Sequence, residues 1–453
     1  MATQSGTHRF HDSISALDSD QWDEQLKNES GLTLSAEFWS DFLTHCWKKT
    51  PHVIAQPFIK AFVTPAEIFS GLVEAGDQCR AGDRIFPLGF YFENALLLAD
   101  VGRHVPASSD ESIAGYAERV TRKLAGRHFG LIVEEFQTHS APLWLRVREF
   151  LRGLYQFTGL PGDNAKATVF LGNYEKTPLG LHQGSSDNFM FVIAGRKRLR
   201  VWPEQFFRDR EAVEHTLEYE QFLDGSIVLE GKPGDILYWP AGYWHIGESL
   251  GELSVGLSVA LFMEAQPATD ILKHTARKVE ERLERVDHSD AFLFHPQRLK
   301  ESAKTIRNLT ELSTTVLKKM SDDPSLEQAL NVSWLNRVTG FGFTNVPAAV
   351  PRRRLDDKEV VQSDPHYPII WMPARENDLI CSANGHAFSI AAHPSVIMLL
   401  EHLNTGASCR VQSLIDKYSG TIDVGDVEFE ATHEEVRALL EKLYCLRALT
   451  VCS

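Results

Sequence analysis

The alternation of apolar and polar positions changes period twice along this chain. Residues 35–50 (SAEFWSDFLTHCWKKT) set Phe38, Trp39, Phe42, Leu43 and Trp47 at helical spacings. Helical patterns continue from Ile68 to about Arg152, so residues 1–164 read as a helix-rich region that packs on the segment C-terminal to it. From Ala167 the period shortens. ATVFLGNY, NFMFVIA, RLRVW, DILYWP and ELSVGLSVALF are short β-branched and aromatic runs broken by Gly, Pro and Asp turns. These runs predict a small antiparallel barrel over 165–265. Leu272, Ala276, Val279, Leu283 and Val286 then restore a helical stripe, followed by Leu299, Ala303, Ile306 and Leu309, which predicts a helical hairpin within 266–345. Pro347, Pro351, Pro365 and Pro368 mark a linker over 346–374. Beyond it, SVIMLLEHLN, VQSLIDKYS and THEEVRALLEKLY read as three helices and LRALTV as a short strand, with Thr432 and Glu435 as a capping box. Residues 375–453 therefore read as a winged-helix-like domain, and the whole chain as α+β.

Composition narrows the classes. With 453 residues, 43% hydrophobic and 24% charged, the chain is ordinary globular material with room for more than one domain. Lys and Arg number 46 against 61 Asp and Glu, a net charge of −15. Such a surface does not gather nucleic acid or an anionic membrane, and THEEVRALLEKLY is too acidic to read phosphates. The first residues, MATQSGTHRF, contain no apolar leader segment, and no run approaches the ~18 apolar residues of a membrane span. The expectation is a soluble, cytoplasmic protein with no nucleic-acid or membrane partner. Its six cysteines form no C-x-x-C pair and read as free thiols.

Chemistry concentrates in LGLHQGSSDNFMFVIAGRKRLRVWP, residues 179–203, and GDILYWPAGYWHIGES, residues 234–249. A His precedes a hydrophobic strand, a Gly-Arg-Lys-Arg return strand comes next, and a second His comes after a Gly-Asp turn and a Pro-x-Gly turn. This order resembles the JmjC-type cupin Fe(II)/2-oxoglutarate-dependent oxygenases, within them the ribosomal oxygenases and the asparaginyl hydroxylase that inhibits the hypoxia-inducible factor. The resemblance covers about residues 165–262 strongly and the helical flanks more weakly. It implies a double-stranded β-helix flanked by helices, Fe(II), O2 and 2-oxoglutarate, and a protein, peptide or amino-acid substrate. From the ribosomal oxygenases it also implies a homodimer formed through the helices after the barrel.

Residue by residue, the resemblance places iron on His182 and His245, which lie 63 positions apart. A mononuclear Fe(II) oxygenase needs a few protein ligands on one face and open positions on the other. Lys197, 15 after the first His, corresponds to the lysine that pairs with the distal carboxylate of 2-oxoglutarate, and Asn188, 6 after it, to an asparagine that touches the co-substrate. Arg200 is the second candidate for the anchor, and a merely solvated turn at Arg196, Lys197 and Arg198 is the bland reading. One departure matters. The family's metal motif is H-x-D, and the position two after His182 is Gly184; Asp187 aligns with a strand-start position instead. Three outcomes stay open: water completes a two-His iron site of a hydroxylase; chloride or bromide occupies the position at Gly184 in a halogenase, with Ser185 and Ser186 as local donors; or the barrel binds a peptide without catalysis. Hydroxylation is the expectation.

Overall fold

The computed structural model describes residues 32–82, 88–208, 214–249, 251–264, 321–374, 377–424 and 427–452, with isolated positions between. The chain divides into two compact units, residues 1–159 with 167–260, and residues 160–166 with 261–453.

The first unit is built on two sheets. The larger has β1 (His52–Ile54), β2 (Leu88–Phe92), β3 (Ala95–Leu96), β4 (Phe129–Val133), β5 (Asn164–Gly172), β7 (Asp187–Ala194), β10 (Ile236–Trp239) and β12 (Ser254–Phe262), in the order β1-β10-β7-β12-β5-β4-β2-β3. The smaller has β6 (His182–Gln183), β8 (Lys197–Trp202), β9 (Ile227–Gly231) and β11 (Trp244–Glu248), in the order β6-β11-β8-β9. The pairings are antiparallel, and from β5 to β12 the chain crosses between the sheets at every step except β8 to β9, which are neighbours in the smaller sheet. Met190, Val192, Leu199, Val201, Leu229, Leu237 and Trp239 fill the space between them. Among the described residues, four helices of ten or more residues accompany the sheets: α1 (Ala36–His45), α2 (Pro65–Ala81), α3 (Ile113–Lys123) and α4 (Ala141–Thr158).

Helix α1 is the one the spacing of Phe38, Trp39 and Phe42 predicts. Its buried aromatic face meets α4 and the larger sheet: Trp39 lies 5.2 Å from Phe150 of α4, and Phe42 4.8 Å from Tyr238 of β10, between ring centroids. Gly153 on α4 is what permits this approach, since a Cβ there would collide with the Trp39 indole.

The N-terminal region is less helical than its pattern suggests. Strands β1 to β4 belong to it and widen the barrel's larger sheet on both sides. Phe129–Val133 is buried at every position, and a continuous apolar run has no period that separates strand from helix.

In the second unit, α5 (Pro324–Thr339), α6 (Pro394–Leu403), α7 (Val411–Tyr418) and α8 (His433–Cys445) surround three small sheets. These comprise β13 (Val360–Gln362) between β17 (Cys409–Arg410) and β20 (Thr450–Cys452), the meander β14 (Ile370–Pro373), β15 (Asp378–Ala383) and β16 (His386–Ala391), and the hairpin β18 (Gly420–Val424) with β19 (Val427–Ala431). The three expected helices and terminal strand are present, and Thr432 and Glu435 form the capping box. The segment 346–374 is not a bare linker. It contributes β13 and β14, and Arg352 pairs with Glu441 of α8 at 3.1 Å while Arg437 donates to the Leu355 carbonyl at 2.9 Å. Proline content marks its turns but not the sheet partners that order it. Of the hairpin stripe, Leu272 is helical and 46% exposed; Ala276, Val279, Leu283 and Val286 lie outside the described residues, as does most of 266–320. Among the described residues no helix is long and apolar enough to cross a membrane. All six cysteines are free.

Candidate active site

The alternation along β8 and β11 decides which residues enter the barrel. Lys197, Leu199 and Val201 point inward and Arg198 and Arg200 outward, because successive side chains of a strand face opposite ways. Register carries the pattern across the sheet. His245 is opposite Val201, and Glu248 is opposite Arg198. A slip of one residue would exchange the two faces.

His245 is also directly opposite His182, where β11 pairs with the edge strand β6. Their ring centroids are 4.2 Å apart. The fold thus brings together two histidines that no local spacing joins. Each has Nδ1 at a backbone carbonyl, His182 at Gly180 (2.9 Å) and His245 at Tyr243 (3.4 Å). A carbonyl only accepts, so it fixes the Nδ1–H tautomer and leaves Nε2 unprotonated for a metal. Burial lowers His182 below its ordinary range; burial, then His182 itself, pushes His245 down to about 3. Both rings are neutral at physiological pH, the form that coordinates.

Gly184 completes the turn beside them. Its N–H donates to the Tyr243 carbonyl (3.1 Å) and its carbonyl accepts from Gly242 N–H (2.7 Å). A Cβ on Gly184 would stand 3.0 Å from His245 Cε1, so a side chain there would begin at the edge of that ring. Among the described residues no three His, Cys, Asp or Glu side chains are placed to hold a metal together. Two imidazoles fit the nitrogen part of a mononuclear iron site, and the carboxylate part is missing. Asp187 does not supply it: fully buried at the start of β7, it accepts from Tyr238 Oη (3.1 Å) and Ala241 N–H (3.3 Å).

Lys197 is 5% exposed and donates from Nζ to Tyr174 Oη (2.8 Å) and Ser249 Oγ (3.1 Å); Ser249 in turn accepts from Ser254 Oγ (2.6 Å). No carboxylate lies within ion-pair distance of it among the described residues. Arg200, the other candidate, is committed outward to Glu248 at 2.7 Å and to Ser226 Oγ at 3.2 Å, and Arg196 lies in the exposed turn. Asn188 is buried on β7 opposite Trp239; its amide donates to Ser186 and its Oδ1 accepts from Ser258 Oγ (3.3 Å). Gly256, one inward step along β12, lies against Lys197 and Met190, since a Cβ on Gly256 would meet Lys197 Cε at 3.4 Å and Met190 Sδ at 2.6 Å. Asn188 and Lys197 thus share the interior face. Ser186 is spoken for by Asn188, and Ser185 is exposed.

Three features escape a reading of the sequence. Tyr174 and Ser249 reach Lys197 from separate segments, and Ser254 bonds Ser249 in turn. The Trp239 indole, 5.1 Å from His245 between centroids, keeps a buried N–H with no hydrogen-bond partner among the described residues. His215, 33 residues after His182, stacks on it at 5.8 Å and 20°.

The JmjC domain family model matches residues 158–269. No curated protein matches the chain. Among solved structures, the chain is similar to YcfD, a ribosomal oxygenase from Escherichia coli, at 17% identity and TM-score 0.45, covering 92% of this chain and 98% of that one. Structures of YcfD with cobalt and succinic acid and with cobalt and 2-oxoglutarate align at 16% identity and TM-score 0.45 over the same shares. The span matched by the JmjC domain contains His182, Asn188, Lys197 and His245.

Proposed function

We propose that this chain is an Fe(II)- and 2-oxoglutarate-dependent oxygenase that hydroxylates a protein, peptide or amino-acid side chain, with His182 and His245 holding the iron. The observation that carries this reading is Lys197. A buried ammonium with only hydroxyl partners costs several kcal/mol unless an anion joins it, and a dicarboxylate co-substrate brings that anion into the barrel that presents two imidazoles with free Nε2. Fe(II) with O2 and 2-oxoglutarate supplies the oxidising chemistry when bound. The chain's own work is placement. The Gly180 and Tyr243 carbonyls orient the imidazoles, Tyr174 and Ser249 hold the Lys197 ammonium, and Asn188 gives the co-substrate a polar wall.

A halogenase is the second reading, favoured by the bare Gly184 and by the unpartnered Trp239 N–H as a donor near a halide. Mass spectrometry of products from candidate peptides and amino acids, with and without chloride or bromide, separates the readings. Addition of one oxygen regardless of halide supports hydroxylation. Halide-dependent halogen incorporation would replace it, and Gly184→Asp would then abolish that product while sparing a hydroxylase. Absence of succinate with every substrate would leave a non-catalytic peptide-binding barrel.

A further inference from the structure

We infer that the indole N–H of Trp239 is a binding group for the co-substrate, donating to the carboxylate that 2-oxoglutarate turns towards the metal while Lys197 takes the distal one; this rests on the co-substrate reading made above. Orientation comes from alternation, since successive residues of β10 face opposite ways. Tyr238 points outward: its ring meets Phe42 of α1 at 4.8 Å between centroids, and its hydroxyl donates to Asp187. Trp239 therefore points inward. It joins Met190, Val192, Leu199 and Leu237 in the space between the sheets and is 2% exposed.

An indole N–H taken out of water needs an acceptor, and buried tryptophans usually have one. Trp202 of β8 is such a case, donating to the Phe222 carbonyl at 2.8 Å. Trp239 Nε1 is buried with no acceptor among the described residues. The polar side chains already placed in the interior are engaged elsewhere. Asn188, opposite Trp239 in the pairing of β7 with β10, gives its amide to Ser186 and its Oδ1 to Ser258. Tyr174 and Ser249 serve Lys197. What these residues leave open is the pair of imidazole Nε2 atoms, suited to a metal, and the Lys197 ammonium with the Trp239 N–H, suited to anionic oxygen.

Register orders the two donors along the barrel. The Trp239 ring is at the metal end, 5.1 Å from His245 between centroids and inclined at 49°. Two residues back along β10, Leu237 is opposite Met190, and Met190 Sδ and Lys197 Cε both border Gly256. A dicarboxylate that reaches from the imidazole pair to Lys197 passes the level of Trp239. An N–H that donates to a carboxylate makes a charge-assisted hydrogen bond, and the indole, being neutral, carries no ionic desolvation cost of its own. A carboxylate fits this arrangement better than a halide, because a lone halide at the metal end would leave Lys197 without an anion.

The test is 2-oxoglutarate binding to the zinc(II)-loaded full-length protein by calorimetry, with the indole N–H resonances followed by nitrogen-15 NMR; zinc(II) is redox-silent. Trp239→Phe removes the donor together with part of the ring. Incorporation of 3-benzothienylalanine at position 239 keeps the shape of the ring and puts sulfur where the N–H was. Both variants are expected to bind 2-oxoglutarate roughly tenfold or more weakly, with zinc affinity at the wild-type level. The resonance that Trp239→Phe deletes should move downfield when 2-oxoglutarate is added to the wild type. Should Trp239→Phe also lose zinc, the benzothienylalanine protein decides alone, and its metal-free form should unfold no earlier than the wild type because no hydrogen bond is lost. Wild-type co-substrate affinity with benzothienylalanine would show that Trp239 contributes only shape and would overturn the inference; if Lys197→Ala still weakens binding, the co-substrate reading stands without it. A shift of the Trp239 resonance with chloride or bromide but not with 2-oxoglutarate would overturn it in favour of a halide. A wild-type protein that binds zinc and no 2-oxoglutarate would overturn both the inference and the reading beneath it.

Discussion

The two faces of β8 handle positive charge in opposite ways. On the outer face Arg198 and Arg200 converge on Glu248, at 3.5 and 2.7 Å, and Tyr219 donates to the same carboxylate. On the inner face Lys197, one residue from Arg198, has two hydroxyl oxygens and no carboxylate among the described residues. The outer cations are paired with carboxylates of the protein, although Arg198 Nε has no hydrogen-bond partner among the described residues. The inner one is satisfied only in part, and the shortfall is what a ligand carboxylate would fill. Strand alternation alone produces this contrast, so four consecutive residues hold both a structural cluster and a candidate binding group.

The largest expected effect lies on the outer face. Glu248→Ala leaves the Arg200 guanidinium without a carboxylate among the described residues, Arg198 with only Glu230 at 3.6 Å, and the Tyr219 hydroxyl without its acceptor, and breaking such a pair costs about 3–5 kcal/mol. Chemical denaturation should show a loss near the lower end, since the Arg198 and Arg200 side chains are 25% and 18% exposed. In the fraction that remains folded, 2-oxoglutarate affinity should be unchanged. A stable Glu248→Ala protein that no longer binds 2-oxoglutarate would erase the distinction between the faces.

The inner face should behave the other way round. Lys197→Ala removes a charge-assisted contact worth about 1.5–3 kcal/mol, so 2-oxoglutarate binding measured by calorimetry should weaken roughly 10- to 150-fold. Metal-free stability should change less than in Glu248→Ala, because no ion pair is broken. Unchanged co-substrate affinity would assign the anchor elsewhere, and since Arg200 is held by Glu248 and Ser226, the barrel would need a cation outside those the motif offers.

This contrast is half legible in the sequence. His182, Asn188, Lys197 and His245 sit in two short strings whose order of residue types is informative, and the inward step at Lys197 follows from period two. The partners are not legible. Tyr174 and Ser249 reach Lys197 from 23 and 52 residues away, Glu248 reaches Arg200 across a strand pair, and His215 arrives through a loop bonded to Leu181. Strand registry makes these contacts, and one sequence does not state registry. The same limit hides β2 and β4: a fully buried run such as FGLIV lacks the alternation that identifies a strand, and only its pairing with β5 makes it one.

The smallest expected effect concerns what the interior does to a titratable group outside the site. His139 is 6% exposed, on the turn Phe136–His139, and burial pushes it down to about 4. Its value in the unfolded chain is about 6.5, so as pH falls the unfolded state takes up a proton before the folded state does. Its contribution to stability is thus complete above pH 6.5 and lost as pH drops towards 4, by about 1.4 kcal/mol for each unit. His182 and His245 are lowered in the same direction, so the metal-free wild type should lose more than this single increment between pH 7.5 and 5.5. Urea denaturation of wild type and His139→Gln at both values isolates the share of His139: the variant's pH-dependent loss should be smaller by about 1 kcal/mol. Equal losses in the two proteins would mean that His139 accepts its proton without unfolding, and that the interior of this unit tolerates a buried positive charge at places other than Lys197.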